Sequence, residues 1–243
     1  MRIPQWRLAL LGAMVLARGL ATPACISGGT LTSYIALGSG GCLVNNELVN
    51  NFGYQNSNVS AGVINPLLAS NIFINPTFTA TSYQLFFFTT GTTTADAFTV
   101  AGNNFAKYEI DFTWDPLVGG AEDDMVANTP VPPGTAGVTT LLCAGAAFSG
   151  ASCPANSPTF TPTNTLFVFN NGTPVIPTAV TFFTAPVLVV GTQSTIDLEG
   201  NVTGSSTITG FKTSVFITPE PGTIILIASG FALLALRRRR PAH

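Results

Sequence analysis

Histidine and basic residues are nearly missing from this chain, and each absence removes a class of function. The one histidine among 243 residues is His243, the last. A Ser-His-Asp or Cys-His centre, and any imidazole-ligated metal, is therefore excluded from the residues before it. Of nine Lys and Arg, seven lie near the two ends: Arg2, Arg7 and Arg18, then Arg237, Arg238, Arg239 and Arg240. Between Cys25 and Thr218 the cations are Lys107 and Lys212. They face ten acids, Glu47, Asp96, Glu109, Asp111, Asp115, Glu122, Asp123, Asp124, Asp197 and Glu199, for a net charge of −8. A surface so poor in cations offers no electrostatic footprint for a phosphate backbone, so nucleic acid is not an expected partner.

The charge that remains marks the ends. Arg2 and Arg7 precede the apolar run Leu8 to Ala17, and small residues follow at Ala21 to Ala24. That is the three-part layout of a secretory signal, too short to span a bilayer comfortably, with cleavage after Ala21 or Ala24. Residues 1–24 are thus expected to be a signal segment handled by the Sec machinery and signal peptidase; a buried N-terminal helix is the alternative. Four cysteines fall as two close pairs, Cys25 with Cys42 and Cys143 with Cys153. Neither has zinc-site spacing. In an exported chain disulfides are the default, and of three connectivities 25–42 with 143–153 closes the shortest loops. Cys25 has a rival reading as a lipidated mature N-terminus, although Thr22-Pro23-Ala24-Cys25 lacks the Leu that such a site usually carries.

From Thr218 the chain reads Thr-Pro-Glu-Pro-Gly-Thr, then an apolar run to Leu236, then four arginines. Pro219 and Pro221 fix their own φ and disfavour helix at the residue before, which holds Glu220 in an extended segment that a processing enzyme can grip. As a helix, residues 223–236 span about 21 Å against the ~30 Å hydrocarbon core. Snorkelling arginines and local thinning must cover the difference. The arginines place that end in the cytoplasm and everything upstream across the membrane.

Pro219-Glu220-Pro221, a short apolar helix and the cluster Arg237 to Arg240, in that order, resemble the PEP-CTERM sorting domain of Gram-negative bacteria. The resemblance implies recognition by an exosortase, a membrane transpeptidase-like enzyme, with cleavage near the proline motif and removal of the tail. It also implies an export substrate linked to exopolysaccharide and biofilm. An ordinary, uncut C-terminal anchor is the competing reading. Cys25, Thr30 to Ile35, Gly40-Gly41-Cys42, Asn51 to Tyr54 and the closing pattern Thr207 to Phe216 further resemble uncharacterised PEP-CTERM proteins of acidobacterial type.

Residues 25–217 are rich in Thr, Asn, Gly, Phe and Val, a composition for strands and turns. Lys107 to Asp115 alternates most cleanly, with Tyr108, Ile110, Phe112 and Trp114 on one face and Glu109, Asp111, Thr113 and Asp115 on the other. It predicts a half-buried antiparallel strand ended by Pro116. Further strands are expected at 83–89, 98–100, 165–169, 180–183, 187–190 and 207–217, and long loops at 119–137 and 143–162. The expected fold is all-β, an antiparallel β-sandwich ectodomain between an N-terminal signal helix and a single C-terminal transmembrane helix.

Candidate chemistry is sparse. Asp111 and Asp115 lie four apart on one strand face, a pair able in principle to serve acid-base work on polysaccharide. Glu122, Asp123 and Asp124 in the expected loop suit a calcium ion by ligand type but lack any calcium-loop spacing. The runs Leu85 to Phe88 and Thr181 to Phe183 read as buried core strands. The expectation is a non-catalytic protein without a cofactor, passing through an inner-membrane intermediate to the cell surface or matrix. Its use there is structural or adhesive, with exopolysaccharide as a further partner. A carboxylate-dependent enzyme and a lipid-anchored periplasmic binding protein are the alternatives.

Overall fold

A computed structural model describes residues 22–128, 131, 133–148, 153–154, 164–170, 174–176 and 178–217. Residues 1–21 of the expected signal segment, and the whole sorting tail with Glu220 and Arg237 to Arg240, lie outside the described residues. Within them strand is the dominant structure: β1 (Gly29–Thr30), β2 (Cys42–Val44), β3 (Glu47–Val59), β4 (Phe73–Phe78), β5 (Ser82–Phe88), β6 (Phe98–Ala101), β7 (Phe105–Trp114), β8 (Val118–Asn128), β9 (Thr135–Ala144), β10 (Asn164–Asn170), β11 (Pro174–Ile176), β12 (Thr178–Val187), β13 (Val190–Glu199) and β14 (Ser205–Ile217), with one short α-helix, α1 (Leu31–Ile35).

Two antiparallel sheets form. The front sheet runs β1-β4-β5-β14-β8-β12, with β6 also paired to β14; the back sheet runs β11-β10-β9-β13-β7-β3-β2. Their inner faces make one core. From the back sheet come Tyr108, Ile110, Phe112 and Trp114 of β7 and Ile196 and Leu198 of β13; from the front, Leu85 and Phe87 of β5 and Phe211 and Val215 of β14. Phe87 links the layers, stacking on Phe211 at 5.0 Å and meeting Phe112 at 5.5 Å. Apolar alternation on facing strands drives this arrangement, because each sheet buries one face only against another layer.

The alternation expected at 107–115 is present, but the strand is not half-buried. Flanked by β3 and β13, β7 also buries Glu109 and Thr113 on its outer side. The loop expected at 119–137 is corrected: its first half is β8, hydrogen-bonded on both sides, and its last residues open β9. Gly119-Gly120 and the acid run mimic a loop in sequence. Gly120 in fact admits close approach, since a Cβ there would stand 2.6 Å from the Thr181 carbonyl. The strand expected at 180–183 is part of the longer β12, where Phe182 is exposed and not in the core. The strand expected at 187–190 is corrected: Val187 ends β12, Leu188 and Val189 make the turn, and Val190 opens β13.

Both disulfides join as expected, Cys25 to Cys42 and Cys143 to Cys153, with Cα atoms 4.8 and 5.4 Å apart. With its sulfur bonded to Cys42, Cys25 has no free thiol in this fold, which counts against the lipid-anchor alternative. The fold also begins before Cys25. The Leu43 N–H donates to the Pro23 carbonyl at 2.8 Å, and the Cys25 N–H to the Leu43 carbonyl at 2.9 Å.

Candidate functional site: a polar sheet face and the sorting tail

The back sheet presents an outer face dense in carboxylates and amides. Strand register sets it. On β7, Lys107, Glu109 and Asp111 point outward because Tyr108, Ile110 and Phe112 point in. Cross-strand neighbours follow: Glu109 lies between Gln55 of β3 and Thr195 of β13, Asp111 between Gly53 and Gln193, and Lys107 beside Asp197. Gln55 Nε2 donates to Glu109 Oε2. A bulge between Asn50 and Gly53, with Asn51 at φ 54°, sets Gly53 opposite Asp111. A Cβ at Gly53 would stand 3.3 Å from Asp111 Oδ2, so the glycine leaves room for that carboxylate.

Burial governs the charge of this face. It pushes the Asp111 carboxyl above the usual range; a hydrogen bond with Gln193 opposes the shift and the neighbouring Glu109 adds to it. Asp111 Oδ1 is shielded from solvent and has no hydrogen-bond partner. Asp197 is also raised, by burial first, with Lys107 opposing and Glu199 and Glu109 adding. Asp115 takes no part. It lies past the end of β7, exposed, where Pro116 turns the chain, and its N–H is bonded to the Leu48 carbonyl at 3.0 Å. The acid that shares a face with Asp111 is Glu109, two residues away.

The three acids of β8 are separated by the strand. Glu122 and Asp124 point outward and share Lys212 of β14, with Lys212 Nζ 4.0 Å from Glu122 Oε1 and in contact with Asp124 Oδ2. Asp123 points inward and is fully buried. Its carboxyl is pushed up to about 7 by burial; the Thr140 and Thr213 hydroxyls partly oppose this, and Asp124 and Glu122 reinforce it. Neither hydroxyl completes a hydrogen bond of regular geometry to either Asp123 oxygen. A strand that sends consecutive acids to opposite faces does not converge them on one ion. Among the described residues no group of three or more His, Cys, Asp or Glu is arranged to hold a metal.

Sequence reasoning missed Gln55, Gln193, Asp197 and Lys212 as members of these clusters. Each is ordinary in isolation, and only register makes it a neighbour. Among the described residues no helix is long and apolar enough to cross a membrane. β14, in the middle of the front sheet, ends at Ile217, one residue before the proline-rich segment.

Residues 218–240 match the PEP-CTERM protein-sorting motif. The PEP-CTERM match implies an exported protein sorted by way of the membrane and recognised by an exosortase, a membrane protein. No curated protein matches the chain. Among solved structures, TmCBM61 in complex with beta-1,4-galactotriose aligns over 67% of this chain and 86% of its own, at 6% identity and a TM-score of 0.29. That likeness is too slight to carry an argument.

Proposed function

We propose that this chain is a non-catalytic β-sandwich delivered to the cell surface or extracellular matrix, where it serves a structural or adhesive role. The PEP-CTERM match at residues 218–240 carries the reading. In this account the N-terminal segment is a signal peptide of the acidobacterial-type surface proteins that the chain resembles. Of the two candidate cuts, the one after Ala21 preserves the Pro23 to Leu43 hydrogen bond. Residues 223–236 hold the precursor in the inner membrane until an exosortase cuts near Glu220. The outer face of the back sheet, with Gln55, Glu109, Asp111, Gln193 and Asp197, supplies carboxylates and amides suited to hydroxyl-rich exopolysaccharide.

Fractionation of the host, with intact mass of the mature protein, tests this. The account expects a body trimmed at both ends and retained in the matrix fraction. An untrimmed chain left in the inner membrane would contradict it. One observation favours a second reading as a carboxylate enzyme: Asp111, raised by burial, shares its strand face with Glu109, and a pair of carboxyls is the minimum set for acid-base work on a glycosidic bond. Turnover of an exopolysaccharide that disappears in Asp111→Asn would establish that reading in place of the first.

A further inference from the structure

On the outer face of the front sheet, three adjacent strands bring three polar side chains onto one carboxyl. In the register, Lys212 of β14 and Thr178 of β12 both stand directly opposite Asp124 of β8, one on either side. The Thr178 hydroxyl donates to Asp124 Oδ1, and Lys212 Nζ touches Oδ2. Glu122, two residues along β8, lies 4.0 Å from the same Nζ and shares a hydrogen bond with Asp124. Two carboxyls so close on one strand face cannot both ionise freely. Glu122 holds its proton the more tightly of the two: burial, then the charge and hydrogen bond of Asp124, raise it against the opposing Lys212. Asp124 goes the other way, since hydrogen bonds from Lys212 and Thr178 and the Lys212 charge outweigh its burial. Phe86 flanks Lys212 on its other side, and all three ionisable side chains are mostly shielded, at 26%, 25% and 18% exposure for Lys212, Glu122 and Asp124.

An ion pair needs only Lys212 and Asp124. The surplus is a hydroxyl placed to polarise the carbonyl and a protonated acid beside both reacting groups. We propose that Lys212 and Asp124 close an intramolecular amide between Nζ and Cγ, with Glu122 as the proton carrier. The balance is simple. The ammonium gives a proton to the Asp124 carboxylate, and the freed amine attacks Cγ, forming the C–N bond. Glu122 passes its proton to the departing oxygen and recovers one from nitrogen. The Cγ–O bond breaks and one water leaves, with no oxidant or other reactant. Side chains fixed in contact react at effective concentrations of about 10⁵ M or more, which offsets the preference of free amines and acids for the unjoined state in water.

The bond would join β8 to β14, the strand that runs directly into the sorting tail, so a pull from the membrane side would meet a covalent link. The inference does not depend on what the back sheet binds.

The test is the intact mass of the exported protein after reduction of both disulfides. The expected mass is lower than composition by one water, with a branched peptide joining Lys212 to Asp124 on fragmentation. Lys212→Arg should sit at full mass. It should also melt about 10 °C or more lower, because a cross-link over so long a span is lost. Asp124→Asn should expel ammonia in place of water and reach the same product, and hence the same mass as the joined wild type. Wild type at full mass, or a water loss that persists in Lys212→Arg, overturns the proposal and leaves an ion pair. Complete closure in Glu122→Ala overturns the role given to Glu122.

Discussion

Replacing Asp123 by Asn should change the pH dependence of stability more than any other single substitution in the core. Asp123 is fully buried between the sheets, and its carboxyl is raised to about 7 from the ordinary 3.8. A folded-state value above the unfolded one means that the protonated acid is preferred in the fold. The stability it permits is complete below about pH 4, declines as pH rises, and has been lost above about pH 7. A shift of roughly three units corresponds to about 4 kcal/mol at alkaline pH. Asn cannot ionise, but it places an amide among hydroxyls that do not fully satisfy it, which costs about 1 to 3 kcal/mol at every pH. The variant is therefore expected to be somewhat less stable than wild type at pH 4 and more stable at pH 8, by a net of about 1 to 3 kcal/mol. Denaturant unfolding of both proteins from pH 4 to 8 measures the difference, in which Asp111 and Asp197, on the other sheet, cancel because both proteins share them. A wild-type-minus-variant difference that stays constant across that range would refute the reasoning.

Phe87→Ala removes the ring that stacks on Phe211 and meets Phe112, and should lower unfolding free energy by about 3 to 5 kcal/mol, read from the urea midpoint. Cys25→Ser with Cys42→Ser opens a loop of sequence separation 17 and should cost about 3 kcal/mol, seen as a lower melting temperature that reductant no longer affects at this site. Gly41 adopts φ +56°, and a Cβ there would stand 2.2 Å from the Val49 carbonyl. Gly41→Ala should therefore shift the midpoint down by the equivalent of about 1 to 3 kcal/mol, while a Gly40→Ala control, which meets nothing within 4 Å, should shift it far less.

How far the sequence can be read follows from which forces write themselves into local pattern. Tyr108, Ile110, Phe112 and Trp114 announce their strand because an alternating apolar face needs no knowledge of its neighbours. The two disulfides were legible for a similar reason, since short loops close before long ones. β8 was hidden: Glu122, Asp123 and Asp124 look like a solvated turn, and only pairing with β14 and β12 on either side makes them a strand with one acid inside. β13 was hidden in its middle, where Thr192, Gln193 and Ser194 are buried without being apolar. The candidate sites were the least legible. Gln55 reaches Glu109, and Lys212 reaches Asp124, across sequence separations that only sheet register resolves.

The account rests most on the tail, and the fate of a Glu220→Ala precursor in its own host tests it most directly. Recognition at Pro219-Glu220-Pro221 predicts normal translocation of a folded, disulfide-bonded body, with the uncut chain accumulating in the inner membrane, because residues 223–236 and the four arginines still stop transfer. Normal removal of the tail and normal release from that variant would contradict the sorting reading and leave an anchor cut by a general protease.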